Sequence, residues 1–189
     1  MGKKLTKKFS INPIFFDTDC ISAFLWVQNE SILVKLYPSR IVIPKPVYDE
    51  ISYPGVQHLK NRIDTLLSHK QAFIEVISVK SESFALYQQL TLSPKKNQKI
   101  IGKGEAAAIV LAKEVNGIVG SNNLSDISEY IERFNLKHVT TGDLLYEALQ
   151  AGIITEDRGN AIWYSMLKKK RKLGWNSFSD FIKSKKTYP

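Results

Sequence analysis

The chain has 189 residues, of which 43% are hydrophobic, and this suits one domain with an ordinary core. Lys and Arg number 27 against 18 Asp and Glu, so the net charge of +9 favours polyanionic partners, nucleic acid before an anionic membrane. The single cysteine, Cys20, excludes a disulfide framework and a thiolate zinc site, and no apolar run is long enough for a membrane span.

The first ten residues, MGKKLTKKFS, are basic and lack the apolar stretch of a secretory signal. We expect residues 1–11 to form a basic disordered arm and the protein to be cytoplasmic, as its one cysteine also suggests. A solvated basic surface with no polyanionic partner remains the alternative interpretation of the net charge.

Short apolar runs alternate with amphipathic stretches in the first half of the chain, which is typical of βαβ units around a parallel sheet. Strands are predicted at residues 14–16, at 41–43 and within 72–79. Helices are predicted at residues 21–29, 46–52, 58–68 and 81–90. Pro46 fits the first turn of the second of these helices. A basic loop, residues 91–104, follows the last of them.

The second half of the chain continues the same alternation. A helix is predicted from Gly104, a strand at 118–119, a helix within 121–134, and a strand and helix within 137–152. Gly152 is expected to end that helix. A last helix is predicted to begin at Thr155 and to run into the sequence MLKKKRKLG. No repeat or linker divides the chain, so we predict one α/β domain with a mainly parallel sheet.

Acidic and amide side chains follow the predicted strands or begin the helices after them: Asp17, Asp19, Glu50, Glu105, Asn122, Asn123 and Asp126. Because parallel strands end at one edge of the sheet, the fold could bring these side chains together. Clustered carboxylates repel one another, and a hard divalent cation with oxygen ligands removes the conflict. Such a cation activates water and shields a phosphate. Asp17 as a helix cap, Glu105 as a partner of the helix dipole and Glu50 as a solvated residue are the alternatives.

Four segments resemble the successive motifs of PIN domains: IFFDTDCISAF, IVIPKPVYDEIS, IGKGEAAAIVLAKEVNGIVGSNN and VTTGDLLYEALQAGIIT. The Gly-Glu-Ala form of the third is similar to that of nucleic-acid-binding PIN proteins related to VapC toxins. The resemblance covers residues 12–155 and leaves 156–189 as a basic C-terminal helix and tail on the same domain. It implies a three-layer α/β/α sandwich around four or five strands.

The resemblance also implies a Mg²⁺- or Mn²⁺-dependent ribonuclease site, with the family's first three acids at Asp17, Glu50 and Glu105. The chain departs from the family where one or two aspartates usually follow the next strand, because Asn122 and Asn123 stand there. An asparagine can offer a carbonyl oxygen but no charge, so Asn123 is expected to complete the metal shell. Asp126, Asp143 and Asp19 are the carboxylates that could compensate for the missing charge, and Asn122 is a further candidate metal ligand.

Five consecutive cations lie outside the motifs and are candidates for nucleic-acid contact or for the dipole of a helix end: Lys168, Lys169, Lys170, Arg171 and Lys172. The aromatic residues around them could stack on unpaired bases or belong to the core: Trp163, Tyr164, Trp175 and Phe178. The sequence therefore predicts an endoribonuclease that cuts RNA, and DNA is a second nucleic acid that the basic surface could bind. A binding module that has lost catalysis is the alternative. A homo-oligomer and a small antitoxin-like partner protein are also expected.

Overall fold

The computed structural model describes residues 12–92 and 99–187. The predicted arm at residues 1–11 and part of the predicted basic loop lie outside these residues. Five parallel strands form one sheet in the order β3-β2-β1-β4-β5. The strands are β1 (Ile14–Phe16), β2 (Ile41–Pro44), β3 (Ala72–Glu75), β4 (Ile118–Gly120) and β5 (Lys137–Val139). This sheet confirms the predicted α/β class.

Helices cover both faces of the sheet and make the molecule a three-layer sandwich, as predicted. The described helices are α1 (Thr18–Trp26), α2 (Ser31–Leu36), α3 (Lys45–Ile51), α4 (Gln57–Ser68), α5 (Glu82–Thr91), α6 (Lys103–Val115), α7 (Leu124–Arg133), α8 (Thr141–Gln150), α9 (Glu156–Lys168) and α10 (Phe178–Thr187). None of them is both long and apolar enough to cross a membrane.

Alternate residues of each strand serve two separate cores, because successive side chains of a strand point to opposite faces. Ile14 and Phe16 of β1 pack in the core beneath α1, α4, α8, α9 and α10. Phe15 packs in the other core, where the small and aliphatic residues of α6 lie close to the sheet. Both cores are continuous across the sheet, so the strand ends are held in fixed positions.

The strand order reverses between β1 and β4, which are neighbours in the sheet although Phe16 and Ile118 are 102 positions apart in the chain. Successive strands proceed from β1 to β3 on one side and from β4 to β5 on the other. In sheets of this kind ligands bind beyond the carboxyl ends of the strands at such a reversal. The residues after β1 and β4 are therefore the place to look for a site.

The C-terminal region differs from the sequence-based expectation in three ways. The helix that begins after Thr155 ends at Lys168, so most of the basic run lies beyond it, and the additional helix α10 follows. Trp163 and Phe178 are fully buried and stack near each other, which excludes them as platforms for bases. Elsewhere in the chain, the sequence patterns also did not predict the short helix α2. Gly152 does follow the end of α8 with a positive φ of 67°, as expected.

Candidate active site

Asp17 directly follows β1 and is fully buried. Its Oδ1 accepts a hydrogen bond of 2.7 Å from the backbone N–H of Cys20 and caps α1, so the capping role considered from the sequence is confirmed. Its Oδ2 is buried and makes no hydrogen bond with any residue that the structure describes, although the Ser121 hydroxyl lies near enough to influence the carboxyl group. A buried carboxylate oxygen with no partner is costly, so Asp17 combines a structural role with an unsatisfied oxygen.

Burial and the neighbouring carboxylates dominate the electrostatic surroundings of Asp17. Burial raises the pKa of Asp17 from 3.8 to about 7, against the lowering effect of the Ser121 hydroxyl and the Cys20 N–H. The charges of Glu105 and Asp19 raise the pKa further. A cation beside Oδ2 would reverse these effects, because it would stabilise the ionised form.

Glu50 is the next-to-last residue of α3, rather than part of its first turn, and its side chain is exposed. The hydroxyl of Thr18 donates a hydrogen bond to Glu50 Oε2, which ties Glu50 to the residue after Asp17. Gly104 lies against this pair: a Cβ there would stand 2.7 Å from Thr18 Oγ1 and 3.3 Å from Glu50 Oε2. A glycine at position 104 therefore lets α6 begin close to α1 and α3.

Glu105 lies in the first turn of α6, as predicted, and Asn123 stands at the N-cap position of α7 without a side-chain capping hydrogen bond. The Asn123 amide nitrogen donates to Glu105 Oε1 at 3.3 Å and to Asp126 Oδ2 at 2.7 Å. Asn123 Oδ1 accepts from the Ser125 hydroxyl at 2.9 Å. Asn123 thus faces the acidic side chains with its amide nitrogen, and it bridges Glu105 and Asp126.

Asn122 turns away from Glu105 and toward the start of α8. Its amide nitrogen donates to Thr141 Oγ1 at 2.9 Å, and its Oδ1 accepts from the Thr141 backbone N–H at 2.8 Å. The Thr141 hydroxyl contacts the buried Sγ of Cys20 at 3.7 Å. The two asparagines therefore differ in role, since Asn122 fastens β4 to α8 while Asn123 contacts the acids.

The two other aspartates considered as compensating ligands have charged partners. Asp143 forms a capping box with Thr140 and an ion pair with Lys185. Although burial raises the pKa of Asp143, the Lys185 ammonium and the Thr140 groups hold it below its usual value. Asp19 is exposed and pairs with Arg171 at 3.7 Å. Of the alternative carboxylates, Asp126 is the one that contacts Asn123.

The donor chemistry of this edge fits a hard divalent cation. Asp17, Glu50 and Glu105 offer carboxylate oxygens, and Oδ2 of Asp17 has no hydrogen-bond partner among the described residues. Within residues 12–92 and 99–187, however, no three His, Cys, Asp or Glu side chains lie close enough together to hold a metal ion. Glu50 is drawn to Thr18 and Glu105 to Asn123. A cation at Asp17 would therefore require these carboxylates to leave their present partners.

The five predicted nucleic-acid contacts occupy the end of α9 and the segment after it. Lys168 lies over the ring of Tyr164, and Lys169 and Arg171 lie over the ring of Trp26. A cavity of about 170 Å³ is lined by Asp19, Asn122, Lys170, Arg171 and Lys172. The fold thus brings the last three cations of the run beside the carboxyl edge of the sheet.

Sequence patterns did not identify Thr18 and Thr141 as partners of the site residues. Each of them stands at the start of a helix, where a threonine has an ordinary structural explanation. Their hydrogen bonds join residues 32 and 19 positions apart, so no local spacing indicates them. The histidines were assigned no catalytic role, and His138 is occupied in donating from Nε2 to the Ser121 carbonyl at 2.8 Å.

Residues 13–185 match the model of one protein family, DUF3368, described as a PIN domain. The match includes all five strands and extends through α9 into α10. No curated protein matches the chain. The division of the chain at residue 155 into a PIN-like part and a C-terminal part stays a prediction.

Proposed function

The chain belongs to the PIN-domain family, and on this basis we propose that it is a metal-dependent ribonuclease that hydrolyses RNA phosphodiester bonds. The PIN domain is a nuclease-type fold, and PIN domains generally use divalent metal ions. To these properties of the family our proposal adds RNA as the substrate of this protein and the residues that hold the metal.

The observation that supports the proposal best is the buried, unpartnered Oδ2 of Asp17 at the carboxyl end of β1. An aspartate needed only to cap α1 would use one oxygen and leave the other in water. Asp17 instead keeps its second oxygen buried, with the charges of Glu105 and Asp19 nearby. A cation is the partner that this arrangement lacks.

Asp17, Glu50 and Glu105 would hold the cation. Asn123 would have to turn its amide away from Ser125 so that its carbonyl oxygen completes the shell or positions a water molecule. When bound, Mg²⁺ or Mn²⁺ would supply the positive charge that activates water and neutralises the attacked phosphate. Without the cation, Thr18 and Asn123 hold Glu50 and Glu105 by hydrogen bonds, and the two carboxylates would exchange these bonds for the cation. His138 is engaged with the Ser121 carbonyl, so we assign protonation of the leaving oxygen to solvent.

The direct test uses the purified protein and an end-labelled single-stranded RNA, with Mn²⁺ or Mg²⁺ in one sample and a chelator in the other. The proposal requires cleavage that appears with the metal and stops with the chelator. Cleavage that persists in the chelator would contradict a metal-dependent mechanism, and binding without cleavage under all metal conditions would contradict an enzyme.

A nucleic-acid-binding module with weakened catalysis is the second candidate, and the asparagine pair favours it. Asn122 and Asn123 bring no charge to positions where the family resemblance leads us to expect aspartates. Asn122 is also fastened to Thr141, away from the acids. In this case the protein would bind RNA or DNA through its basic surface without cutting it.

Three further parts of the proposal concern the biological setting. The similarity of the Gly-Glu-Ala motif to VapC relatives suggests a toxin-like protein held inactive by a small antitoxin-like partner. We also propose that the protein is cytoplasmic and that it forms a homo-oligomer. Sedimentation of the purified protein tests the oligomer, and co-purification with the product of an adjacent short gene tests the partner.

The basic run should contribute affinity without sequence preference. Replacement of Lys168, Lys169, Lys170, Arg171 and Lys172 by Gln is expected to flatten the salt dependence of RNA binding. Each lost phosphate contact should lower the slope of log K against log salt by about 0.7 for a single strand. Fluorescence anisotropy of labelled RNA in chelator, over a series of KCl concentrations, measures this slope.

A matched control replaces Lys70 and Lys137 by Gln. Both are exposed and stand at the opposite edge of the sheet, just before β3 and at the start of β5. If the run binds phosphates, the control slope should stay close to that of the unchanged protein. A basic-run variant with an unchanged slope would instead place these cations on a surface that RNA does not touch.

A further inference from the structure

The segment between α9 and α10, residues 169–177, borders the candidate site on two sides. Its first part lines the cavity of about 170 Å³ beside Asp19 and Asn122. Its later part places Trp175 at a second cavity, of about 630 Å³, together with Leu124, His138, Phe181 and Lys185. Leu124 directly follows Asn123, so the two cavities lie on either side of the turn after β4.

The wall of the second cavity contains a partly exposed aromatic side chain, that of Trp175. Trp175 is 45% exposed, and Leu124 beside it is 48% exposed. The backbone of Trp175 is fixed, because its carbonyl accepts a hydrogen bond of 3.0 Å from Nε1 of the buried Trp163. A large, partly exposed aromatic side chain on a fixed backbone suits base stacking, and every base has a face that can stack.

Polar groups surround this aromatic surface and suit the edges of a base. His138, Thr140, Asp143, Ser184 and Lys185 line the same cavity. They combine hydrogen-bond donors and acceptors with the positive charge of Lys185, which also lies over the ring of Phe181. Some of these groups already have partners within the fold, since His138 donates to the Ser121 carbonyl and Asp143 pairs with Lys185. A nucleobase would hydrogen-bond with the donor and acceptor positions that these bonds leave open, which an aliphatic ligand could not do.

The first cavity suits a phosphate of the same strand. Lys170 and Lys172 are exposed at its rim, and Arg171 has one carboxylate partner, Asp19, at 3.7 Å. Cations grouped in this way bind the backbone of a single strand, and a neighbouring aromatic side chain binds a base. Both features come from one continuous segment of the chain.

We propose that residues 169–177 form a binding subsite for single-stranded RNA, with a phosphate at Lys170–Lys172 and an unpaired base stacked on Trp175. The inference rests on the proposed function, because it takes RNA as the ligand of this edge of the sheet. The strand would cross the turn after β4, between the phosphate cavity and the base cavity, and so pass the acidic side chains. A base-paired strand could not insert a base, so the subsite selects unpaired RNA.

The test is the binding of short fluorescein-labelled oligouridine in chelator, measured by anisotropy for the unchanged protein, Trp175→Ala and Tyr53→Ala. Tyr53 is the control, since it is an aromatic residue 73% exposed after α3 and does not line the cavity. Trp175→Ala is expected to weaken binding by about fivefold to a hundredfold, the range for loss of one stacked base. Tyr53→Ala should bind as the unchanged protein does.

Oligouridine with abasic positions sharpens the test. Abasic sites should weaken binding to the unchanged protein but weaken it much less for Trp175→Ala, because the two changes remove the same contact. Trp175→Phe keeps an aromatic ring and should retain most of the affinity, which covers the case in which the alanine variant fails to fold. Equal binding by Trp175→Ala and the unchanged protein, or equal losses in both alanine variants, overturns the subsite.

Failure of this inference can be told apart from failure of the proposed function. A protein that cleaves RNA with Mn²⁺ while Trp175→Ala binds and cleaves normally retains the function and loses the subsite. A protein that stacks oligouridine on Trp175 but never cleaves RNA retains the subsite and loses the nuclease activity. An unchanged protein with no affinity for oligouridine, but with affinity for another protein at this cavity, overturns the RNA subsite.

Discussion

Asp17→Asn is expected to abolish metal-dependent RNA cleavage and to leave the fold intact. The substitution removes the carboxylate of Asp17 at the carboxyl end of β1. This carboxylate is buried, and its Oδ2 has no hydrogen-bond partner among the described residues. Loss of a charged ligand should lower the cleavage rate by orders of magnitude. The fold should persist because an asparagine Oδ1 can still accept the hydrogen bond from the Cys20 N–H and cap α1.

The measurement is the initial rate of cleavage of labelled RNA at saturating Mn²⁺, with circular dichroism to check the fold. Asp49→Asn is the matched control: Asp49 is exposed on α3, next to Glu50, and pairs with Lys45. Asp49→Asn should cleave RNA at the rate of the unchanged protein, although it loses the same charge as Asp17→Asn. Cleavage by Asp17→Asn at the unchanged rate would remove Asp17 from the mechanism.

The same variant should change how stability without metal depends on pH. The pKa of Asp17 is about 7 in the folded protein against 3.8 for the free side chain, so the folded state binds more protons between these values. The free energy of unfolding therefore falls as pH rises from about 4 to about 7. Asp17→Asn should remove this fall and unfold at higher urea concentration at pH 8, by up to a few kcal/mol at about 1.4 kcal/mol per pKa unit.

Urea unfolding of both proteins in chelator at several pH values between 4 and 8 measures this effect. Equal slopes against pH in the two proteins would mean that Asp17 is not the group that titrates. Excess Mn²⁺ should restore stability to the unchanged protein at pH 8 and do much less for Asp17→Asn, because a ligand stabilises only the state that binds it.

Local patterns predicted the positions of the candidate residues along the chain, because strand ends and helix starts leave local signals. Asp17 follows β1, Glu105 lies in the first turn of α6, and Asn122 lies in the turn between β4 and α7, as the alternation of apolar runs indicates. Parallel strands end at one edge, so topology alone brings these residues near one another. Their metal-binding roles stay predictions.

The partners of these residues could not be predicted, since they depend on how helices far apart in sequence pack. The contact of Thr18 with Glu50 depends on Gly104, which lets α6 approach both. The burial of Phe178 depends on Gly159, where a Cβ would stand 2.2 Å from the Phe178 ring. From the sequence, Trp163 and Trp175 look alike. The structure buries the first and leaves the second at a cavity beside the site.

Asn123→Asp should tighten Mn²⁺ binding, with Asn122→Asp as the control of equal charge. Asn123 contacts Glu105 and Asp126, so an aspartate there adds a carboxylate beside the acids near Asp17. Affinity for a hard cation rises with the charge of its ligands, and we expect a gain of about tenfold or more, which is about 1.4 kcal/mol. Asn122 is fastened to Thr141, so its substitution should change affinity less.

Without metal, Asn123→Asp should be less stable than the unchanged protein. The asparagine amide now donates to both Glu105 and Asp126, and an aspartate would replace these hydrogen bonds with repulsion among three carboxylates. A loss of about 1 kcal/mol corresponds to a fall in Tm of about 2–4 °C at this chain length. Added Mn²⁺ should raise the Tm of this variant more than that of the unchanged protein.

Calorimetric titration and thermal unfolding together decide what the asparagines do. If the protein is a weak nuclease, Asn123→Asp should cleave RNA faster at low Mn²⁺. If it is a binding module that lost catalysis, Asn123→Asp combined with Asn122→Asp should gain cleavage. Unchanged or weaker Mn²⁺ binding in both single variants would mean that neither asparagine faces the cation. Asp126, which already contacts Asn123 and has no capping box or lysine partner like those of Asp143, would then take the fourth ligand position.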